Sequence, residues 1–384
     1  MSPEIILGLI TFGIAIFVVS LLATRIKGRA YVVPFMVFLM VQGVVGLEPL
    51  VFAHFAQLEL YYIALSGVLW MLIMPCIWLY IEGLTATYRW QLKRAHLLHA
   101  VLALFGVIVG VVVLCLPSES QFKIFYADDA QLKAGVEQFS AILVASLFLL
   151  WLVQSSLYIY KIFKQLKCYR AGLRQVFTNE THKSLYWINV TLCLLIGSWV
   201  WLLMVLFSNF NEKIRFVSDV IPLVLNLVVV WFFSIQALRQ RPAFETVYQK
   251  LAEEPIDLAR SKIKYQRSAL GDAQSQRIAD KLNNALVSDA LYLNNELTLY
   301  KLSIHLNIPA HYISQTLNQT MKTSFFEWVN RSRIEAAQVK LSNTNDSVLD
   351  IAMAVGFNSR SAFYSAFKQQ VGSTPSAYRK RENK

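Results

Sequence analysis

The sequence predicts an all-α protein: a bundle of seven transmembrane helices followed by a soluble helical domain with two helix-turn-helix units. Three observations carry this. Of 384 residues, 56% are hydrophobic and only 16% charged, against about 25% charged in a soluble domain. Up to residue 238 the apolar residues gather in stretches of about 20, the length a helix needs to cross a bilayer. From 273 onward they recur at helical spacing on short polar segments, with capping signals between them.

The expected spans are 4–23, 31–53, 61–82, 96–116, 139–160, 186–208 and 216–238. The second is the weakest, because it contains Glu48-Pro49. Loop charges orient the bundle. The connections after spans one, three and five hold twelve Lys and Arg, among them Arg25, Arg94, Lys164 and Arg174; the alternate connections hold four. This asymmetry sets the N-terminus outside and everything beyond 238 in the cytoplasm. The first span is not read as a cleavable signal peptide, because residues 1–4 carry Glu4 and no positive charge. Cys76, Cys115, Cys168 and Cys193 match no metal spacing and read as plain apolar residues.

Polar residues within lipid are functional suspects. Glu48, Asp219 and Asn226 are the candidates for a membrane-domain switch or ligand pocket. Interhelical hydrogen bonding is the competing reading. Pro222, between Asp219 and Asn226, is expected to free backbone carbonyls.

After Leu238 the composition turns polar, with Pro242, Pro255 and Gly271 as breaks. The chain thus divides into a membrane domain (1–238), a cytoplasmic linker (239–272) and a C-terminal domain (273–384). In the last, a first helix is expected near 273–288. Thr298 is an N-cap candidate, 299–306 a short helix, Asn307-Ile308-Pro309 a turn, and 310–320 a second helix. That second helix turns His311, Tyr312, Ser314, Gln315 and Asn318 outward and Ile313 and Leu317 inward. Short polar side chains of this kind suit base edges in a major groove.

Ser324-x-x-Glu327 reads as a capping box opening a longer helix, 324–343, with Phe326, Val329, Ile334, Ala337 and Leu341 as its apolar stripe. Arg331 and Arg333 are left for phosphates. A second unit starts at Ser347, passes Gly356 as a left-handed turn residue, and ends in a helix over 359–371. That helix presents Ser359, Arg360, Ser361, Tyr364, Ser365 and Lys368, with Phe363 and Phe367 inward. Arg379 and Lys380 in the basic tail complete the expected phosphate contacts. Residues 291–384 carry eleven Lys and Arg against six Asp and Glu, a balance suited to salt-dependent binding of nucleic acid.

The strings "IAMAVGFNSRSAFYSAFKQQVGSTPSAYRK" and "RIEAAQVKL" carry a resemblance. Residues 297–382 are similar to the DNA-binding domain of the AraC/XylS family of bacterial transcription regulators. Two departures stand out: Pro309 occupies the usual Ser cap, and Leu317 the usual Phe. The rest of the chain looks like the membrane-bound subset of that family. The resemblance implies two recognition helices about one DNA turn apart, double-stranded DNA as partner, and control by the N-terminal part. A homodimer on DNA is expected from the geometry of half-sites. The other expected partners are the lipid bilayer and a small-molecule or membrane signal.

No nucleophile elbow, phosphate loop or HExxH-type site occurs in the sequence, so neither an enzyme nor a cofactor is expected. The alternative reading is a transporter or membrane receptor with an attached regulatory DNA-binding module.

Overall fold

The computed structural model describes residues 1–26, 29–126, 135–178, 185–209, 220–240, 242 and 271–382. Among these the regular structure is helical, with one isolated β-bridge. Contacts divide the chain into two units. One holds Met1–Leu166 and Leu185–Tyr248; the other holds Lys167–Ser184 and Gln249–Lys384.

In the first unit the helices are α1 (Pro3–Ala23), α2 (Val32–Val45), α3 (Glu48–His54), α4 (Glu59–Leu84), α5 (Val101–Leu114), α6 (Ser118–Tyr126), α7 (Val136–Val176), α8 (Tyr186–Asn209) and α9 (Val220–Arg239). Among the described residues, six segments are long and apolar enough to cross a membrane, and α8 adds a shorter apolar stretch, Tyr186–Trp201. The second span, expected as one helix and the weakest of the seven, is two: α2 stops at Val45, and Glu48-Pro49 open α3, where a proline fits the first turn.

Packing follows the rules of helices that lack a hydrophobic contrast with their surroundings. The chain approaches closely where α1 passes the end of α2: a Cβ on Gly8 would lie 2.1 Å from the Gly46 carbonyl oxygen, so only glycine fits. Phe35 and Phe38 of α2 stack with Tyr80 of α4 and Phe233 of α9, at centroid distances between 4.6 and 5.8 Å. Pro75 sits inside α4 and denies Met71 its helical donor. Gln154 of α7 compensates, its Nε2 donating to the Met71 carbonyl at 3.3 Å. Pro222 is the third described residue of α9, and the carbonyl four residues before it lies outside the described residues. Asp219 and most of the 239–272 linker lie outside the described residues.

The second unit contains α10 (Asp272–Ser288), α11 (Leu299–Leu306), α12 (Ala310–Gln315, continued by a π turn over Thr316–Thr320), α13 (Phe325–Asn343), α14 (Val348–Ala354), α15 (Arg360–Val371) and α16 (Pro375–Glu382). It has two cores. One joins Ile278, Leu282, Leu302, Ile313, Leu317 and Val329; the other joins Ile334, Leu341, Ile351, Val355, Phe363 and Phe367. The long helix α13 serves both. Its buried face begins at Phe325 and Trp328 rather than at Phe326, which is half-buried.

Candidate nucleic-acid interface

Caps fix the two helix pairs that flank α13. Thr298 Oγ1 accepts from the Lys301 N–H at 3.2 Å and starts α11. Asn307 ends α11 at φ +51°, a left-handed conformation that asparagine tolerates. The capping box is complete: the Glu327 N–H donates to Ser324 Oγ at 3.2 Å, and the Ser324 N–H donates to Glu327 Oε2 at 3.1 Å. Ser347 Oγ accepts from the Asp350 N–H at 3.1 Å, and Ser359 Oγ from the Ala362 N–H at 3.2 Å. Between α14 and α15, Gly356 has φ +92°, and a Cβ there would lie 2.6 Å from the Tyr292 carbonyl oxygen. That carbonyl comes from the segment before α11, so Gly356 also lets the two helix pairs approach.

On α12 and its π turn, His311 and Asn318 are exposed, while Tyr312, Ser314 and Gln315 are half-buried. Tyr312 packs against the first core. The Gln315 amide donates to Gln319 Oε1 at 2.9 Å, and the Asn318 amide to the Ser314 carbonyl at 2.8 Å. On α15, Arg360, Ser361, Ser365 and Lys368 are exposed. Ser359 is engaged as the cap. Tyr364 is half-buried, with the Arg360 guanidinium 5.0 Å from its ring centroid. Arg360 and Ser376 hydrogen-bond the Tyr364 hydroxyl and hold its pKa below the usual value.

One expected phosphate contact is not at the surface. Arg333 is 1% exposed. Its Nε donates to the Tyr292 carbonyl at 2.7 Å, Nη2 to the Asn294 carbonyl at 2.8 Å and Nη1 to Asn330 Oδ1 at 3.3 Å. Burial lowers its pKa to about 10, which still leaves it charged at neutral pH. It ties the loop before α11 to α13 and is not at the surface. Arg379 is half-buried and donates to the carbonyls of Leu341 at 3.3 Å and Asp346 at 2.7 Å, closing the end of α13. Arg331 and Lys380 remain exposed.

The C-terminal unit has one partner that sequence reasoning missed. The last turns of α7 and the two residues after it belong to this unit. Phe177 pairs with Thr298 in the antiparallel bridge. Thr178 Oγ1 donates to the Leu297 carbonyl at 3.0 Å, and the Arg174 guanidinium lies 5.7 Å from the Phe326 ring centroid.

In the first unit, Glu48 and Asn226 line one cavity of about 530 Å³, with Glu4, Gln42 and several indoles. The Gln42 amide donates to Asn226 Oδ1 at 3.0 Å, and the Asn226 amide returns a bond to the Gln42 carbonyl at 3.1 Å.

These caps, cores and turns are those of a helix-turn-helix protein, and residues 302–381 match the helix-turn-helix domain family. The C-terminal domain is of the AraC/XylS class. It is similar to the melibiose operon regulatory protein of Escherichia coli (strain K12), 36% identical over 84 residues, which is 22% of this chain and 28% of that protein. It is also similar to an HTH-type transcriptional regulator of Staphylococcus aureus (strain COL), 30% identical over 132 residues, or 34% of this chain and 18% of that one. A solved protein of Listeria innocua is 29% identical and covers 27% of this chain and 95% of its own, with a TM-score of 0.25, too low to support a structural argument. The chain thus spans under a third of the length of these two curated relatives.

Proposed function

We propose that this protein is a membrane-anchored, one-component transcription regulator. The C-terminal domain binds promoter DNA through two helix-turn-helix units, α11–α12 and α14–α15, while the N-terminal region forms a seven-span sensor with its N-terminus outside. The observation that carries the reading is the outward polar face of α15. Arg360, Ser361, Ser365 and Lys368 project from a helix held rigidly by Phe363 and Phe367. His311, Gln315 and Asn318 play the same part on α12, and Arg331 and Lys380 meet phosphates. Ser359 and Tyr364 position the reading face. The cytoplasmic side follows from the loop charges.

The signal reaches the DNA-binding domain through α7. This helix lines the cavity with Trp151, and the two residues after its end, Phe177 and Thr178, pair with Thr298 and Leu297. A ligand that favours one position of α7 therefore shifts the helix pair that begins at Thr298.

The test is a gel-shift titration of the full chain on a bound promoter fragment. Arg360→Ala and Gln315→Ala should each cost about 1–3 kcal/mol of specific binding, the worth of one good base contact. An unchanged affinity removes that residue from the base-reading set. Lys380→Ala should weaken binding to all sequences alike and reduce the salt slope by about one.

A further inference from the structure

Arg360 stands at the start of α15 with its guanidinium already oriented. The group lies 5.0 Å from the Tyr364 ring centroid, and its Nη2 donates to the Tyr364 hydroxyl at 3.2 Å. The two residues are i and i+4, so they are neighbours on one face of the helix. Tyr364 is anchored in turn. Its ring meets Phe363 edge to face at 6.2 Å and packs against the second core. Its hydroxyl lies 3.3 Å from that of Ser376, in the first turn of α16. Because the phenol accepts from Arg360, its own proton is available to Ser376. A guanidinium carries five N–H donors in one plane. Contact with the Tyr364 ring on its face and one bond from Nη2 fix that plane and leave the other donors of the fork for a ligand.

We infer that Arg360 reads a guanine in the bound DNA, and that Tyr364 is the positioning residue that presents the guanidinium fork to it. Arg360 is exposed and is the first residue of α15, and the N-terminal residues of a recognition helix are those that reach base edges. A phosphate accepts a guanidinium from many directions and gains little from a fixed one. A base edge offers its acceptors in a single plane, so a fork held in advance loses less freedom on binding. Guanine presents O6 and N7 side by side in the major groove, two acceptors for two parallel donors. Adenine sets an amino donor beside its N7, cytosine presents a donor, and thymine one acceptor beside a methyl group. The inference rests on the reading of α14–α15 as a DNA-binding helix pair and names the base that this pair selects.

The experiment lets the full chain, in phosphatidylcholine nanodiscs, select duplexes from a randomised pool. Each guanine of the selected sequence is then replaced in turn by 7-deazaguanine, which pairs normally and lacks the N7 acceptor. One replacement should weaken binding about tenfold, within the range for a good base contact. The same replacement should have no effect on the Arg360→Ala variant, the sign of direct coupling. Tyr364→Phe keeps the ring and loses the hydroxyl; there the effect should fall to about threefold, the loss of one exposed hydrogen bond, while penalties at other positions stand. A selected sequence in which no guanine couples to Arg360 overturns the assignment. So does an Arg360→Ala variant that loses affinity for all sequences alike, with a salt slope lower by about one, the mark of a phosphate contact. Undiminished coupling in Tyr364→Phe removes Tyr364 from its positioning role. An Arg360→Ala variant that selects nothing has lost more than one contact, and the diminished or undiminished coupling in Tyr364→Phe then decides. If the unaltered chain selects no sequence, the DNA-reading function fails and takes this inference with it. A selected sequence without a coupled guanine leaves that function standing and removes the inference alone.

Discussion

Arg333 shows that the role of a basic side chain depends on the register of its helix. Val329, Arg333, Ala337 and Leu341 stand at i, i+4 intervals on α13, so Arg333 falls in the middle of the buried stripe. That spacing is legible in the sequence; a reading that sorts residues by polarity alone sends Arg333 to the surface. Its position costs desolvation and is held by three hydrogen bonds. Arg333→Ala leaves two carbonyls without donors and opens a void, so a 271–384 fragment should lose about 3–5 kcal/mol in urea unfolding. A loss below 1 kcal/mol would contradict the structural role. Gly356→Ala should be similarly severe, because a left-handed turn and a blocked Cβ position act together. Arg379→Ala, with two bonds at a half-buried site, should cost about 1 kcal/mol. The caps Thr298, Ser324 and Ser347 needed no correction, because they act locally and local sequence is enough to find them; Ser359, expected on the reading face, caps α15 instead.

The element that sequence reasoning underestimated is α7. Its apolar core was expected to end near 160, yet the helix continues to Val176. The reason is visible afterwards: Ile162, Leu166, Tyr169 and Leu173 recur at helical spacing and are buried, while Lys161, Lys164, Lys167 and Arg170 occupy the other side. Charges that orient a bundle also mask an amphipathic helix from a hydropathy reading. The docking of Phe177 and Thr178 on Thr298 and Leu297 was not legible, because it joins residues 119 positions apart. Removing that contact should change regulation without changing DNA recognition. Thr178→Val should shift the output of a promoter reporter about five-fold, the effect of roughly 1 kcal/mol on a two-state balance. DNA affinity of the 271–384 fragment, which lacks residue 178, is the reference. An unaltered reporter would remove α7 from the signalling route.

At the scale of the whole molecule, composition and loop charge suggest the division of the chain, and the family resemblance covers less than its last third. The orientation rests on charge asymmetry, and two cysteines make it testable. Cys115, at the end of α5, and Cys168, near the end of α7, are both exposed. By the loop charges they face opposite sides. A membrane-impermeant maleimide applied to intact cells should label Cys115 and spare Cys168 until the membrane is opened. Labelling of Cys168 alone would invert the topology and set the DNA-binding domain on the wrong side.

The central claim is that one chain holds the membrane and reads DNA at once. Crosslinking in living cells, followed by isolation of the membrane fraction and sequencing of the DNA that remains with this protein, tests both halves together. The account predicts a small set of discrete promoter sites in the membrane fraction, lost when Arg360 and Lys368 are both replaced by Ala. Uniform recovery of DNA that the double variant leaves unchanged, or discrete sites found only in the soluble fraction, would contradict it.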